Sequence, residues 1–440
     1  MPFPSQNLET QSSFASGVDM AVSRVATPLS NSQQPDGGLR AWGTVLGSFL
    51  AVFCCFGHAN AYGVYQDYYT QYYLINESAS AISWIGTTNV YLVMLGGLIS
   101  GALHDRGYFY HVFIGGAILQ SFSLFMLSLA HPGRYYQIFL AQGLGSGIAQ
   151  GLMFVPSLAV LSQHFRQRKT LVMAIVMSGA TIGGAVYTIM LNSLINGPMG
   201  FSKGVRASAV VETALLLVAC LITRTGVECP PPSVNFRKVA KSCFSEAPFI
   251  LTMIGFACFE VGYVYVLFYF QTDSIKHGLS STFSFYSLVI LNLSSVFGQL
   301  GAGFLPMLIG VLDTTIAALI VTAVLIFGMI WLGSVSSVVI IGVLFGIASG
   351  ISISIIAPVI AFLTRDPSEL GTRLGIAYPV LGLGALVGPP IAGALLTDRY
   401  IWWAPSVFCG TVVLLGAVLF IVLRILELRK ARKGADGRME

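Results

Sequence analysis

Thr225-Gly-Val-Glu-Cys-Pro-Pro-Pro-Ser-Val-Asn-Phe-Arg-Lys-Val-Ala-Lys-Ser-Cys-Phe-Ser-Glu-Ala-Pro248 is the longest polar interruption in an otherwise apolar chain, and it decides how the rest divides. Before it lie apolar runs near 42–65, 79–103, 111–130, 135–161, 169–194 and 207–224. After it lie runs near 249–272, 283–306, 312–333, 337–363, 372–397 and 403–424. A helix crossing a hydrocarbon core of roughly 30 Å needs about 20 residues. Each run therefore reads as one spanning helix, and the stretch 225–248 separates six from six. The expected fold is an all-α polytopic membrane protein of twelve transmembrane helices in two six-helix halves, 39–224 and 249–424, joined by a cytoplasmic linker, 225–248. Residues 1–38 are polar and read as a disordered cytoplasmic tail, while 425–440 form a short basic one.

Composition agrees. Only 9% of the 440 residues are charged, against roughly 25% in soluble domains. The formal charge of +5 does not point to nucleic acid, because the basic residues fall in short clusters between apolar runs. With both termini inside, only Arg134, Lys203, Arg206, Lys276 and Arg399 of the 23 Lys and Arg lie outside, which leaves 18 inside. That bias is the positive-inside signature and predicts cytoplasmic termini. The polar start contains no apolar signal-peptide core, so the first spanning helix is expected to direct insertion. Asn76-Glu77-Ser78 falls in an outside loop and is a candidate glycosylation site, whereas Asn292-Leu293-Ser294 lies inside a span. Of the seven cysteines, Cys54, Cys55, Cys220, Cys258 and Cys409 sit within apolar runs, and no zinc or disulfide spacing emerges. No cofactor or metal is expected.

Several short motifs stand at helix ends. Gly101-Ala-Leu-His-Asp105-Arg106-Gly107 follows the second helix; a small residue permits close helix approach, and the Asp–Arg pair can make charge-assisted bonds that break when the bundle rocks. Its counterpart six helices on, Gly303-Phe-Leu-Pro-Met-Leu-Ile-Gly310, keeps the glycine spacing but carries apolar residues instead of the charges. Asp36-Gly37-Gly38-Leu-Arg40-Ala41-Trp42 precedes helix one. Gly143-x-Gly145-x-Gly147, Val155-Pro156 and His164-Phe-Arg166-x-Arg168-Lys169 follow in and after helix four. Gly371-Thr-Arg373-Leu-Gly375 opens helix eleven ahead of Gly388-Pro389-Pro390-x-x-Gly393.

The loop after helix two resembles the G-x-x-x-D-R-x-G signature of the major facilitator superfamily, with its first glycine one place early and Tyr108, Phe109 and Tyr110 where basic residues usually trail. The ordered set resembles the monocarboxylate-porter family, fungal branch, over nearly the whole chain beyond residue 35. That resemblance implies transport by alternating access; the plasma membrane is the expected location, with a vacuolar or other endomembrane as the alternative. It also implies gating roles for Gly101, Asp105, Arg106 and Arg373, while Gly388 and Pro389 mark a candidate flexing point. Relatives that carry lactate-like anions typically hold a buried Lys in helix one and an Asp/Arg pair in helix eight. Here helix one has no cation between 43 and 65, and helix eight offers Asn292, Ser295 and Gln299. A simple lactate carrier is therefore not expected.

Polar residues within spans are the candidate site, since a charge at the bilayer centre costs at least about 2.5 kcal/mol on insertion scales. Glu260 lies mid-way along helix seven with Tyr263 one turn on. Helix one carries His58, Tyr62 and Tyr65 as a stripe, with Asn60 nearby; Glu212 lies in helix six, and Asn292 and Gln299 share a face of helix eight. Glu260, His58, Asn60, Tyr62, Tyr263, Asn292 and Gln299 are thus candidates for binding a small organic solute or a coupled proton. The aromatic and amide character of the set fits a ring-bearing or weakly polar solute, and the resemblance to the fungal branch implies either a vitamin carrier or an exporter of a secondary metabolite. A pump driven by ATP is excluded by the missing phosphate loop. Two rivals remain: an enzyme using His104, Asp105 or His164, which lack a nucleophile or metal set at usable spacing, and a non-transporting sensor on the same fold.

Overall fold

A computed structural model describes residues 37–105, 107–165, 169–226, 236–364, 369–396 and 402–436. The tail over 1–36, together with Arg106, Arg166, Arg168, Arg365 and Arg399, lies outside the described residues, and the side chain of Asp105 is not described either. Twelve long helices follow in order: α1 Leu39–Tyr73, α2 Ala79–Asp105, α3 Phe109–Ser128, α4 Tyr135–Ala159, α5 Lys169–Ile195 and α6 Gly200–Ile222. The linker helix Phe236–Cys243 comes next. The chain continues with α7 Ala247–Lys276, α8 Ser281–Gly301, α9 Val311–Gly328, α10 Val335–Leu363, α11 Leu370–Leu396 and α12 Trp403–Asp436. Among the described residues, eleven helices are long and apolar enough to cross a membrane, and α8 adds a shorter apolar run, Tyr286–Gly301. The 21 residues of α8 still extend about 31 Å at 1.5 Å each.

Helices one, six and twelve run well past their expected ends, helix twelve continuing from 424 to Asp436. Helix one continues from 65 to Tyr73 because Tyr68, Tyr69 and Tyr73 bury their rings against Phe201 of α6, so residues that read as polar are packed. It is not uniform: Ala61 interrupts the α-helix with φ −86° and ψ 4°, and Tyr69–Tyr73 form a π-turn. Helix six begins at Gly200 rather than 207, because Lys203 and Arg206 are exposed and can keep their charges at the membrane surface.

The packing carries an internal repeat. Helix pairs α1·α5, α2·α4, α3·α4, α3·α6 and α1·α6 each have a counterpart six helices on: α7·α11, α8·α10, α9·α10, α9·α12 and α7·α12. The two groups meet along two seams that exchange under the same rule, α2·α11 and α5·α8, and along α1·α7, which the rule maps onto itself. Glycines set the closeness. A Cβ on Gly57 of α1 would stand 2.7 Å from the backbone of Gly183 on α5, and one on Gly384 of α11 would overlap the Ala257 carbonyl of α7. On the seams, Gly184 faces Asn292 of α8, and Gly382 faces Met94 and Tyr91 of α2.

Candidate functional site

Three polar groups lie inside the bundle. The first is on α7 and α11. Glu260 is only 3% exposed, and its carboxyl has no hydrogen bond or ion pair to any described residue. The half-buried phenols of Tyr263 and Tyr378 lie within electrostatic reach of it, and Phe259 stacks on Tyr263 at 5.6 Å. A lone acid in such a setting, beside two aromatic donors, offers a hydrogen-bonding point to a ligand entering between the halves.

The second group is at the α5·α8 seam. Asn60 of α1 donates through Nδ2 to the Ala180 carbonyl at 3.2 Å, and Asn292 donates to the Leu288 carbonyl at 2.9 Å. Gly184 stands between them, so the absence of a side chain there lets two amides from opposite halves approach one another. Gln299 lies two turns further along α8 and is half-buried.

The third group divides the stripe expected on helix one. His58 Nδ1 lies 3.3 Å from Glu212 Oε2 of α6, and Gln120 of α3 donates to Glu212 Oε1 at 2.7 Å. Tyr187 of α5 meets the imidazole edge-on at 5.6 Å, and Tyr65 lies at 5.5 Å. Every partner belongs to α1, α3, α5 or α6. Tyr62, beyond the interruption at Ala61, turns away and donates instead to the Ile82 carbonyl of α2 at 2.7 Å.

The two ends of the bundle differ. Call the end bearing residues 37 and 436 the terminal end. At the opposite end every α1 residue from Gly57 to Asp67 and every α7 residue from Val264 to Ser274 is buried. Tyr62 packs on Phe268 at 4.4 Å, Gln271 donates to Asp67 at 3.4 Å, and Tyr269 bonds both the Ala79 carbonyl, at 3.1 Å, and Ser83. These contacts join α1 and α2 to α7 and shut that end. Just beyond them, His277 bonds the buried Asp273 at 2.8 Å, and this partner raises the imidazole above its ordinary value. Asn76 is exposed in the neighbouring loop.

At the terminal end, Arg373 of α11 is clamped by Glu246 at 3.0 and 3.1 Å and by Glu369 at 3.2 Å, and it reaches Ser242 of the linker at 3.3 Å. Arg373 is the one buried Lys or Arg among the described residues. Gly101 approaches Val155 of α4, and Ser100 donates to the Gly151 carbonyl at 2.9 Å, tying α2 to α4. Gly388 packs on Val261, and α11 continues as helix through Pro389 and Pro390.

Sequence reasoning picked out Glu212 but not its donor Gln120, although a lone amide in the apolar run of α3 is a legible signal. It also missed Tyr378 and the Asp67–Gln271 contact, whose partners are 204 residues apart. His104 and His164 are not brought together with a metal-binding set; among the described residues no such cluster occurs.

Comparison with known proteins completes the assignment. A sequence profile of the Major Facilitator Superfamily matches residues 44–342. The chain is 34% identical over 400 residues to the aspyridones efflux protein apdF of Emericella nidulans, covering 91% of this chain and 81% of that protein. It is 33% identical over 410 residues to MFS-type transporter 1 of an Ophiocordyceps species, covering 92% and 90%. It is also 33% identical over 389 residues to the agnestins efflux protein AgnL12 of Paecilomyces divaricatus, covering 88% of each. With its apolar helices and its buried polar interior, the chain belongs to the major facilitator superfamily and is a multi-pass membrane transporter of a small organic solute.

Proposed function

We propose that the protein exports an aromatic or weakly polar organic solute of the secondary-metabolite kind from the cytoplasm, by alternating access, as a member of the monocarboxylate-porter family's fungal branch. The observation that carries this reading is the site around Glu260: one buried acid without a fixed partner and two phenols, with no buried Lys or Arg among the described residues except the already clamped Arg373. A small carboxylate needs a cation to offset its dehydration. A neutral or ring-bearing solute needs stacking surfaces and a few hydrogen-bonding groups. The names of the relatives, which include efflux proteins, favour the outward direction.

The 18 to 5 distribution of Lys and Arg favours cytoplasmic termini, which makes the shut end the one that faces away from the cytoplasm. In the transport cycle the solute enters from the terminal side and meets Glu260, Tyr263 and Tyr378. The contacts of Tyr62, Tyr269 and Gln271 then part to release it. Glu260 is the proposed proton carrier, because an acid without a fixed partner can change protonation without stranding one. The test is efflux from loaded proteoliposomes and from cells with and without the protein, read by comparing retained and secreted metabolites. A solute accumulating inside the deletion strain supports export. Unchanged flux and pH dependence in Glu260→Gln would remove the acid from the mechanism.

A further inference from the structure

We infer that the linker helix Phe236–Cys243 is a docking surface for anionic phospholipid headgroups. Its eight residues are divided by face. Val239 and Cys243 are buried against the bundle, while Arg237, Lys238 and Lys241 are exposed, flanked by exposed Phe236 and Phe244. The helix does not hang free: Ser242 and Glu246 hold Arg373, so it rides on the start of α11.

The rest of the terminal end repeats this mixture. The turn Leu305–Ile309, which joins α8 to α9, presents Met307 at 82% and Leu308 at 79% exposure, with Phe304 exposed beside them. Arg429 is exposed on the extension of α12, past the Arg424–Asp313 pair at 2.7 Å. Water penalises the apolar members of this collar, and hydrocarbon penalises its cations. Both are satisfied at the boundary between headgroups and acyl chains, where basic amphipathic helices lie. The cations select the lipid: those near a surface gain from anionic headgroups and gain nothing comparable from zwitterionic ones. Because the linker is clamped to α11, this contact anchors the second group of helices to the leaflet. The inference is independent of which solute is carried.

The test uses the full-length protein in nanodiscs. Phe236→Trp is compared with the parent, so that the added fluorescence reports this position alone. Phosphatidylcholine discs contain brominated phosphatidylserine or, at equal content, extra brominated phosphatidylcholine. The expected result is stronger quenching by the serine lipid, with local enrichment falling about fivefold for each basic residue removed, and no preference left when Arg237→Gln, Lys238→Gln and Lys241→Gln are combined. The charge-preserving set Arg237→Lys, Lys238→Arg and Lys241→Arg should retain the preference, which separates loss of charge from loss of fold. Equal quenching by the two lipids, quenching by neither, or a preference surviving the triple glutamine change would each overturn the inference.

Discussion

Replacing His58 by leucine tests whether the polar group shared by α1, α3, α5 and α6 fastens the first six helices or serves the solute. The pair is deeply buried, with side-chain exposures of 3% for His58 and 0% for Glu212. Loss of the imidazole leaves the carboxyl with the Gln120 amide at 2.7 Å, beside the Tyr187 phenol. Removing one member of a buried acid–base pair typically costs about 3–5 kcal/mol. Gln120→Leu removes the other contact, and stranding a buried polar group costs about 1–3 kcal/mol. Replacing all three residues by leucine fills similar volume and leaves no orphaned acid, so its net cost should fall within about 1–2 kcal/mol of the parent. The assay is equilibrium unfolding of the purified protein in mixed micelles on raising the denaturing detergent, paired with efflux in proteoliposomes. His58→Leu should unfold earliest, and the triple variant should return close to the parent and still transport. A triple variant as unstable as the sum of its parts would refute the energetic reasoning. A stable triple variant without flux would show that the group acts in transport.

Other expectations concern the seams, the shut end and pH. Gly384→Ala should cost about 1–3 kcal/mol through overpacking against the Ala257 carbonyl, while Gly115→Ala, with nothing within 4 Å, should be tolerated in the same unfolding assay. Tyr269→Phe removes the bonds to Ala79 and Ser83 and should raise labelling of a cysteine placed at Ala79 by a membrane-impermeant thiol reagent severalfold; unchanged labelling would mean these bonds do not hold the end shut. The His277–Asp273 contact raises the folded imidazole above its ordinary value of about 6.5, so its stabilisation is fully present below that value and is lost as pH rises through the folded one. The stability gap between the parent and His277→Gln should therefore shrink on going from mildly acidic to alkaline buffer. A gap independent of pH would exclude that linkage.

Much of the fold was legible because a bilayer enforces a simple code: about 20 apolar residues per span and an excess of cations on one side. The code weakened where side chains are amphipathic. Tyr68, Tyr69 and Tyr73 lower the hydropathy of the chain yet pack against Phe201, so helix one outran its predicted end. Individual candidate residues were legible as polar intruders, which is how Glu260, Asn60, Asn292 and Glu212 could be named. Their grouping was not. His58 and Asn60 are two positions apart on one helix, yet one meets α6 and the other α5. The interruption at Ala61 then sends Tyr62 to α2. The internal repeat left only the glycine spacing of Gly303–Gly310 in sequence, because pairings such as α2·α4 and α8·α10 constrain shape and tolerate changes in side-chain identity.

The two seams are related by the repeat but are made of different material. At one, Gly382 rests against the thioether of Met94 and the ring of Tyr91; at the other, Gly184 rests against the amide of Asn292, which is bonded within its own helix. Neither contact requires a hydrogen bond from one half to the other. The first behaves as a lubricated bearing, since each dispersion contact there is worth only about 0.1–0.2 kcal/mol and re-forms after a small slip. The second behaves as a detent: its amide already has an acceptor and can lend its oxygen to whatever lies in the gap. A bundle assembled in this way has one seam held by dispersion contacts alone and one seam with an amide oxygen to offer.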